Sequence, residues 1–270
     1  MPNRTVAQLR NHYEVERTLA EKLRNSDREE RKVLYGTLYD ELFEKVPDHP
    51  RLTKREDPAL VLKKNKSKLK MVRKLLHSNT VFAEIAPGDC EFCFYVADSV
   101  NRVYGMDISD QTSKNSIRPD NFQLIIYDGY SLPMLRRSVD VLFSDQFIEH
   151  LHPEDVQEHY TLARSLLVEG GKYVFRYPHL FRGPSDISQY FSKTPTGFHL
   201  NESTFTATVN HLKQAGYSAY QCYWFLRSVR IPVPFWWVRA TERLVEKMPL
   251  RYRSAFAALL LPTVHMEATK

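Results

Sequence analysis

Two rhythms of apolar residues divide the chain near residue 80. Upstream of it, apolar positions recur every three or four residues, the spacing of a buried helix face. Thr5 with Gln8, and Ser26 with Glu29, fit capping boxes that would start two helices. In the second, Leu34, Leu38 and Leu42 lie on one row, and Tyr35, Tyr39 and Val46 on its neighbours. Pro47 and the Asp48-His49-Pro50 turn end that helix, and Asp57-Pro58 starts another, with Leu62, Leu69, Val72 and Leu76 on one stripe. Downstream, short apolar runs at 80–85, 102–106, 122–126, 139–143 and 172–177 alternate with helical stretches. The clearest such helix is predicted at 153–168, closed by Gly170-Gly171; another opens at Asn201, with Phe205, Val209 and Leu212 inward. A strand at 217–225, an aromatic and helical segment at 232–262 and a closing strand at 264–270 follow. Runs alternating in this way predict βαβ units and a parallel sheet.

At 270 residues and 43% hydrophobic, the chain can bury the core of one generous domain, or of one domain with an extension. Charged residues at 26% and aromatics at 12% exclude a disordered chain. No apolar run approaches the ~20 residues of a membrane helix, and the first ten residues hold no apolar block of a secretory signal. Three cysteines make no disulfide framework. The expectation is a soluble, reduced, cytoplasmic protein.

The net charge of +6 is unevenly spread, with excess base in residues 1–80 and 221–270 and excess acid between them. Lys63, Lys64, Lys66, Lys68 and Lys70 crowd one stretch. They read either as an anion-binding surface or as the solvated face of an amphipathic helix, and the apolar stripe beside them favours the second.

The first run ends in Glu84-Ile85-Ala86-Pro87-Gly88-Asp89-Cys90, a strand leading through an acidic residue and a small-residue turn into a helix. Such a turn lets the backbone approach a nucleotide-type ligand. Asp107, with Ile108 beside it, ends the next run, where an acid can take both hydroxyls of a ribose. Asp128-Gly129 ends the third, and Ser144-Asp145 leads the fourth into Gln146-Phe147-Ile148-Glu149-His150-Leu151.

In this order and at these spacings the sequence resembles the class I, Rossmann-like S-adenosylmethionine-dependent methyltransferases over about residues 78–225 and the terminal strand, and it is most similar to the branch that modifies small molecules, lipids and glycans. Glu84 and Gly88 match the family's first loop, whereas Ala86 and Cys90 replace its outer glycines. The Cys90 side chain is expected to narrow the methionine end of the pocket. The resemblance implies an α/β fold: a seven-stranded, mostly parallel sheet with a helical N-terminal extension (1–78), a methyltransferase domain (79–270) and a helical insert at about 226–262. It implies S-adenosylmethionine as cofactor, held by Glu84, Ala86 and Gly88 at the methionine end, Asp107 and Ile108 at the ribose, Asp128 and Gly129 at the adenine, and Asp145 and Gln146 where the fourth strand meets the cofactor.

His150, just past the fourth strand, is the candidate general base, and Glu149 would orient it or the substrate. His152 reads as a cap before Pro153, and Tyr177, His179 and His199 as substrate-side or loop residues. Cys90 and Cys93 form a CxxC, but Cys222 alone does not complete a zinc site, so buried thiols and no metal are expected. Trp236 and Trp237, beside Arg239, Arg243 and Lys247, suit a peripheral membrane contact, a lid over an apolar substrate, or packing. The leading reading is methyl transfer to oxygen or nitrogen of a small-molecule or lipid- or glycan-linked acceptor. An RNA methyltransferase, for which no RNA-binding module is recognisable, and a non-catalytic cofactor-binding scaffold are the alternatives. The sequence leaves the oligomeric state open.

Overall fold

The computed structural model describes residues 4–53, 57–112, 116–132, 135–226 and 229–270. Helix α1 (Val6–Arg24) starts at Thr5, which closes the expected box with Gln8. Helix α2 (Arg28–Lys45) starts one residue later than Ser26 suggests: Asp27 and Glu30 form its box. Ser26 instead donates its hydroxyl to the Leu23 carbonyl at 2.7 Å and finishes α1. Leu19 and Leu23 of α1 bury against Leu38 and Leu42 of α2, with Val46 and Phe198. A short helix α3 (Pro50–Thr53) and α4 (Pro58–Val72), capped by Asp57, follow. The apolar stripe of α4 is only partly buried. Met71 and Val72 enter the core but Leu62 is exposed, because Asn65 turns inward and donates to the Glu91 carbonyl.

Strands β1 (Val81–Ile85), β2 (Arg102–Asp107), β3 (Phe122–Ile126), β4 (Val139–Asp145) and β5 (Leu167–Pro178) pair in parallel in the order β3-β2-β1-β4-β5. Successive residues point to opposite faces, and both faces are covered. Phe82, Val103, Val141 and Phe143 meet Met71 and Val72 of α4 and Phe92 and Val96 of α5 (Glu91–Val96). Ala83, Ile85 and Leu142 meet Val156, Tyr160 and Ala163 of α6 (Val156–Leu166) and Val209 and Leu212 of α7 (Phe205–Gln214). This two-sided burial is why the runs read as continuously apolar.

Several boundaries shift from the sequence reading. Pro153–Asp155 form a 3-10 turn before α6, and Leu167 is already extended and pairs with Val139, so Gly170 and Gly171 lie inside β5 rather than closing a helix. Thr204, not Asn201, caps α7, its side chain accepting from Ala207 N–H.

Among the described residues the sheet has eight strands, not seven. Strands β6 (Ala219–Leu226), β7 (Val229–Val233) and β8 (Thr263–Thr269) continue it antiparallel, in the order β5-β8-β6-β7. The segment expected as a helical insert at about 226–262 therefore opens with a strand. In Val229-Arg230-Ile231-Pro232-Val233, Pro232, which has no N–H, is tolerated because β7 is the sheet edge. Helices α8 (Phe235–Glu246) and α9 (Leu250–Leu260) complete the insert. No helix of the described residues is long and apolar enough to cross a membrane.

Candidate functional site

The topological switch lies between β1 and β4, where chain connections leave in opposite directions and the carboxyl ends of the strands leave a crevice. The β1–α5 turn forms its floor. Ala86, Gly88 and Cys90 all adopt positive φ, at 54°, 62° and 61°. Only Gly88 does so without cost, and a Cβ there would meet nothing within 4 Å, so the loop borders open space. Cys90 does not narrow that space. It is fully buried with Phe82, Phe92 and Cys93 on the core side of the loop.

Asp107, at the end of β2, ties this loop down. Its Oδ2 accepts from Gly88 N–H at 3.0 Å and its Oδ1 from Ile108 N–H at 2.8 Å. Each oxygen keeps a lone pair for a ligand hydroxyl. Burial pushes the carboxyl up against the pull of those two N–H groups. A cleft lined by Ala86, Gly88, Met106, Asp107, Ile108, Tyr127, Gly129 and Gln146 runs along these residues. Bare backbone at the turn, an acid with spare lone pairs and flanking apolar side chains are the donor set that a nucleoside with an amino-acid tail requires.

Glu84 does not line the cleft. Its carboxylate is buried behind the loop, where Lys68 Nζ pairs with Oε1 at 2.9 Å and the Cys93 thiol donates to Oε2 at 3.3 Å. Lys68, which the amphipathic reading leaves in solvent, is thus an inward-facing member of the lysine cluster. Burial pushes the Cys93 thiol well up, as expected of an inert core cysteine. Asp128 is exposed and caps its own turn, one oxygen accepting from Tyr130 and Ser131 N–H; Gly129 borders the cleft. Asp145 is held by Arg176 through two 2.8 Å hydrogen bonds. Gln146, at φ 59°, reaches the cleft.

A second cavity, of about 480 Å³, adjoins the cleft. The two share Ala86, Gly88, Gln146 and His150, together with Tyr39, Arg51 and Phe198, while Lys68, Asp145, Asp186 and His199 line only the second. His150 therefore stands at the junction. Its Nδ1–H donates to the Phe198 carbonyl at 3.0 Å, so the neutral ring carries its lone pair on Nε2. Burial, with His199 and Arg51 nearby, holds its pKa well below 6.5. Glu149 is completely buried, neither oxygen has a hydrogen-bond partner among the described residues, and burial pushes its carboxyl up to about 8. The His199 ring lies edge-on to His150 at 5.1 Å and donates from Nδ1 to Glu202 at 2.8 Å.

The other singled-out residues serve the frame. His152 caps the turn at Pro153, its Nδ1 accepting from Glu154 N–H. Tyr177 bonds Thr208, and His179 donates to Glu242 at 2.9 Å, joining β5 to α8. The sequence reading placed the helices of residues 1–78 beside the pocket but named none of the residues they bring to the cleft: Leu23 of α1, Tyr35, Leu38 and Tyr39 of α2, and Arg51. Buried Arg31 anchors that roof, bonding Asp155, which also accepts from the Tyr130 hydroxyl at 2.9 Å. Arg31 lies in the charged run Arg28-Glu29-Glu30-Arg31-Lys32, so nothing local in the sequence marks it as buried.

Residues 83–175, from β1 to β5, match the family model of a methyltransferase domain. No curated protein matches the chain by sequence. Among solved structures, the YcgJ protein of Bacillus subtilis aligns with a TM-score of 0.52 at 14% identity, over 76% of this chain and 97% of that one. An S-adenosylmethionine-dependent methyltransferase of Archaeoglobus fulgidus aligns at 0.53 and 18% identity, over 77% and 94%. Phosphoethanolamine N-methyltransferase 2 of Haemonchus contortus, solved with phosphomonomethylethanolamine and S-adenosylhomocysteine, aligns at 0.53 and 15%, over 77% of this chain and 53% of that one. At these identities the likeness is one of fold.

Proposed function

We propose that this chain, an S-adenosylmethionine-dependent methyltransferase, methylates an oxygen or nitrogen of a small-molecule or lipid- or glycan-linked acceptor that enters the second cavity. The observation that carries this reading is the junction at His150 and Gln146, where that cavity opens onto the cofactor cleft. Its volume falls within the ~300–1,000 Å³ of small-ligand sites. Bound S-adenosylmethionine supplies an already activated methyl group. Asp107, with Ile108 beside it, would hold the ribose hydroxyls, Gly129 and Asp128 the adenine side, and Ala86 and Gly88 the methionine end. Glu84 would act through the loop. Gln146 and Asp145 would border the reacting end. Alignment and exclusion of water are then the chain's main tasks, and the helices of residues 1–78 would serve them by roofing the cleft. His150 would present its Nε2 lone pair to the acceptor, with Glu149 behind it.

An exposed apolar row, Trp236, Leu244, Leu250, Tyr252, Phe256 and Leu259, supports a membrane-borne acceptor. Arg239, Arg243, Lys247 and Arg251 are exposed beside it, the pairing an anionic bilayer surface attracts. The test is S-adenosylhomocysteine release with three acceptor sets: soluble metabolites, lipid extracts in anionic vesicles, and RNA oligonucleotides. Turnover in either of the first two sets is expected. Turnover with RNA alone would overturn the reading.

A further inference from the structure

Glu149 poses a problem of its own. A carboxyl group without exposure, and without a hydrogen-bond partner among the described residues, costs several kcal/mol unless something pairs with it. Two imidazoles stand beside it, and the ligand atoms of Glu149, His150 and His199 all lie within 4.8 Å of one another. Both rings are already oriented from behind. The Phe198 carbonyl takes the Nδ1–H of His150, and Glu202 takes that of His199. Each ring is thereby left to offer Nε2 forward. A histidine whose other N–H goes to a carbonyl or carboxylate is the usual arrangement around a metal ligand. Glu202 is itself fixed, accepting from Ser185 N–H at 2.8 Å.

We propose that Glu149, His150 and His199 bind one divalent transition-metal ion at the junction of the cofactor cleft and the acceptor cavity. Two neutral imidazoles and one carboxylate suit zinc, cobalt, manganese or iron(II) rather than magnesium or calcium. Bonds of about 2.1 Å place ligand atoms roughly 3 Å apart, so a bound ion draws these three side chains, now within 4.8 Å, closer together. Three protein ligands leave coordination positions open, and two of them, His150 and His199, line the second cavity. The inference rests on the reading that the acceptor enters there. With the ion in place His150 is a ligand, and an acceptor hydroxyl becomes acidic through the metal and loses its proton to cavity water.

A second trio, His12, Glu16 and His49, lies equally close but is already spent. His12 bonds Glu16 Oε2 at 2.8 Å and Arg4 at 2.9 Å, and Glu16 Oε1 accepts from Phe198 N–H at 2.9 Å. That trio is a hydrogen-bond network and serves as the control.

The experiment titrates chelator-treated full chain with Co²⁺, reading visible absorption and calorimetric heat, then displaces the Co²⁺ with Zn²⁺. S-adenosylhomocysteine binding is measured on the same samples. One ion per chain is expected, with histidine-nitrogen coordination in the spectrum and a raised melting temperature. Glu149→Gln keeps the side chain's shape and removes the carboxylate that would bind the ion. It should fold at least as stably without metal, yet lose Co²⁺ affinity tenfold or more. His199→Asn should do likewise, and His49→Asn should not. No stoichiometric binding, or binding that survives Glu149→Gln and disappears in His49→Asn, overturns the proposal. A chain that binds S-adenosylhomocysteine but no Co²⁺ loses the metal site and keeps the methyltransferase reading.

Discussion

Gly88 N–H donates to the Asp107 carboxylate at 3.0 Å, so the residue expected to hold the ribose also sets the shape of the loop that receives the methionine end. One side chain couples the ends of two adjacent parallel strands. Asp107→Ala is expected to weaken S-adenosylhomocysteine binding by about 1–3 kcal/mol, through the lost charge-assisted bonds. Asp107→Asn should recover part of the loss. Calorimetry checks both, and unchanged affinity in the alanine variant would remove Asp107 from the ribose site.

Ala86 holds φ 54° where glycine costs nothing. Left-handed backbone costs a side-chain-bearing residue about 1–2 kcal/mol, partly offset by the entropy glycine adds to the unfolded chain. Ala86→Gly should therefore raise stability by up to ~1 kcal/mol. Urea unfolding reads this directly, and a clear loss of stability would show that the alanine methyl packs usefully.

The Lys68–Glu84 pair joins α4 to β1 beneath the cleft. Lys68→Met leaves a buried carboxylate unpaired, which typically costs 3–5 kcal/mol. Adding Glu84→Gln should recover much of that loss, because the charge itself disappears. Equal stability of the single and double variants would mean that solvent already reaches Glu84.

His159 is buried against the Tyr173 hydroxyl at 2.8 Å, and burial lowers its pKa to about 3. The unfolded chain takes up this proton near pH 6.5 and the folded chain does not. The contribution is therefore fully present above pH 6.5 and is lost as pH falls toward about 3, at roughly 1.4 kcal/mol per pH unit. Denaturant unfolding of His159→Gln beside the parent should show a shallower acid limb. Parallel limbs would contradict the neutral, buried ring.

The succession of parallel strands along the chain and the small-residue turn after β1 were legible in the sequence because they depend on local chemistry. Continuous apolar runs mark strands covered on both faces, and acids at strand ends mark the crevice. Even the departures at Ala86 and Cys90 were visible, though which way Cys90 points was not. β7 escaped because Pro232 reads as a strand breaker, and only its place at the sheet edge makes it tolerable. Long-range pairings were hidden altogether. His199 is 49 residues from His150, and Tyr39 lies more than a hundred residues before either, yet all three border one cavity. Lys68 shows the same limit: among five similar lysines, nothing local says which will turn inward, and what decides it is the buried carboxylate of Glu84 on another element. Periodicity along a chain reports which face of an element is buried, whereas the partner that face meets is set by how the elements pack, and that is the part of this site only the tertiary structure decided.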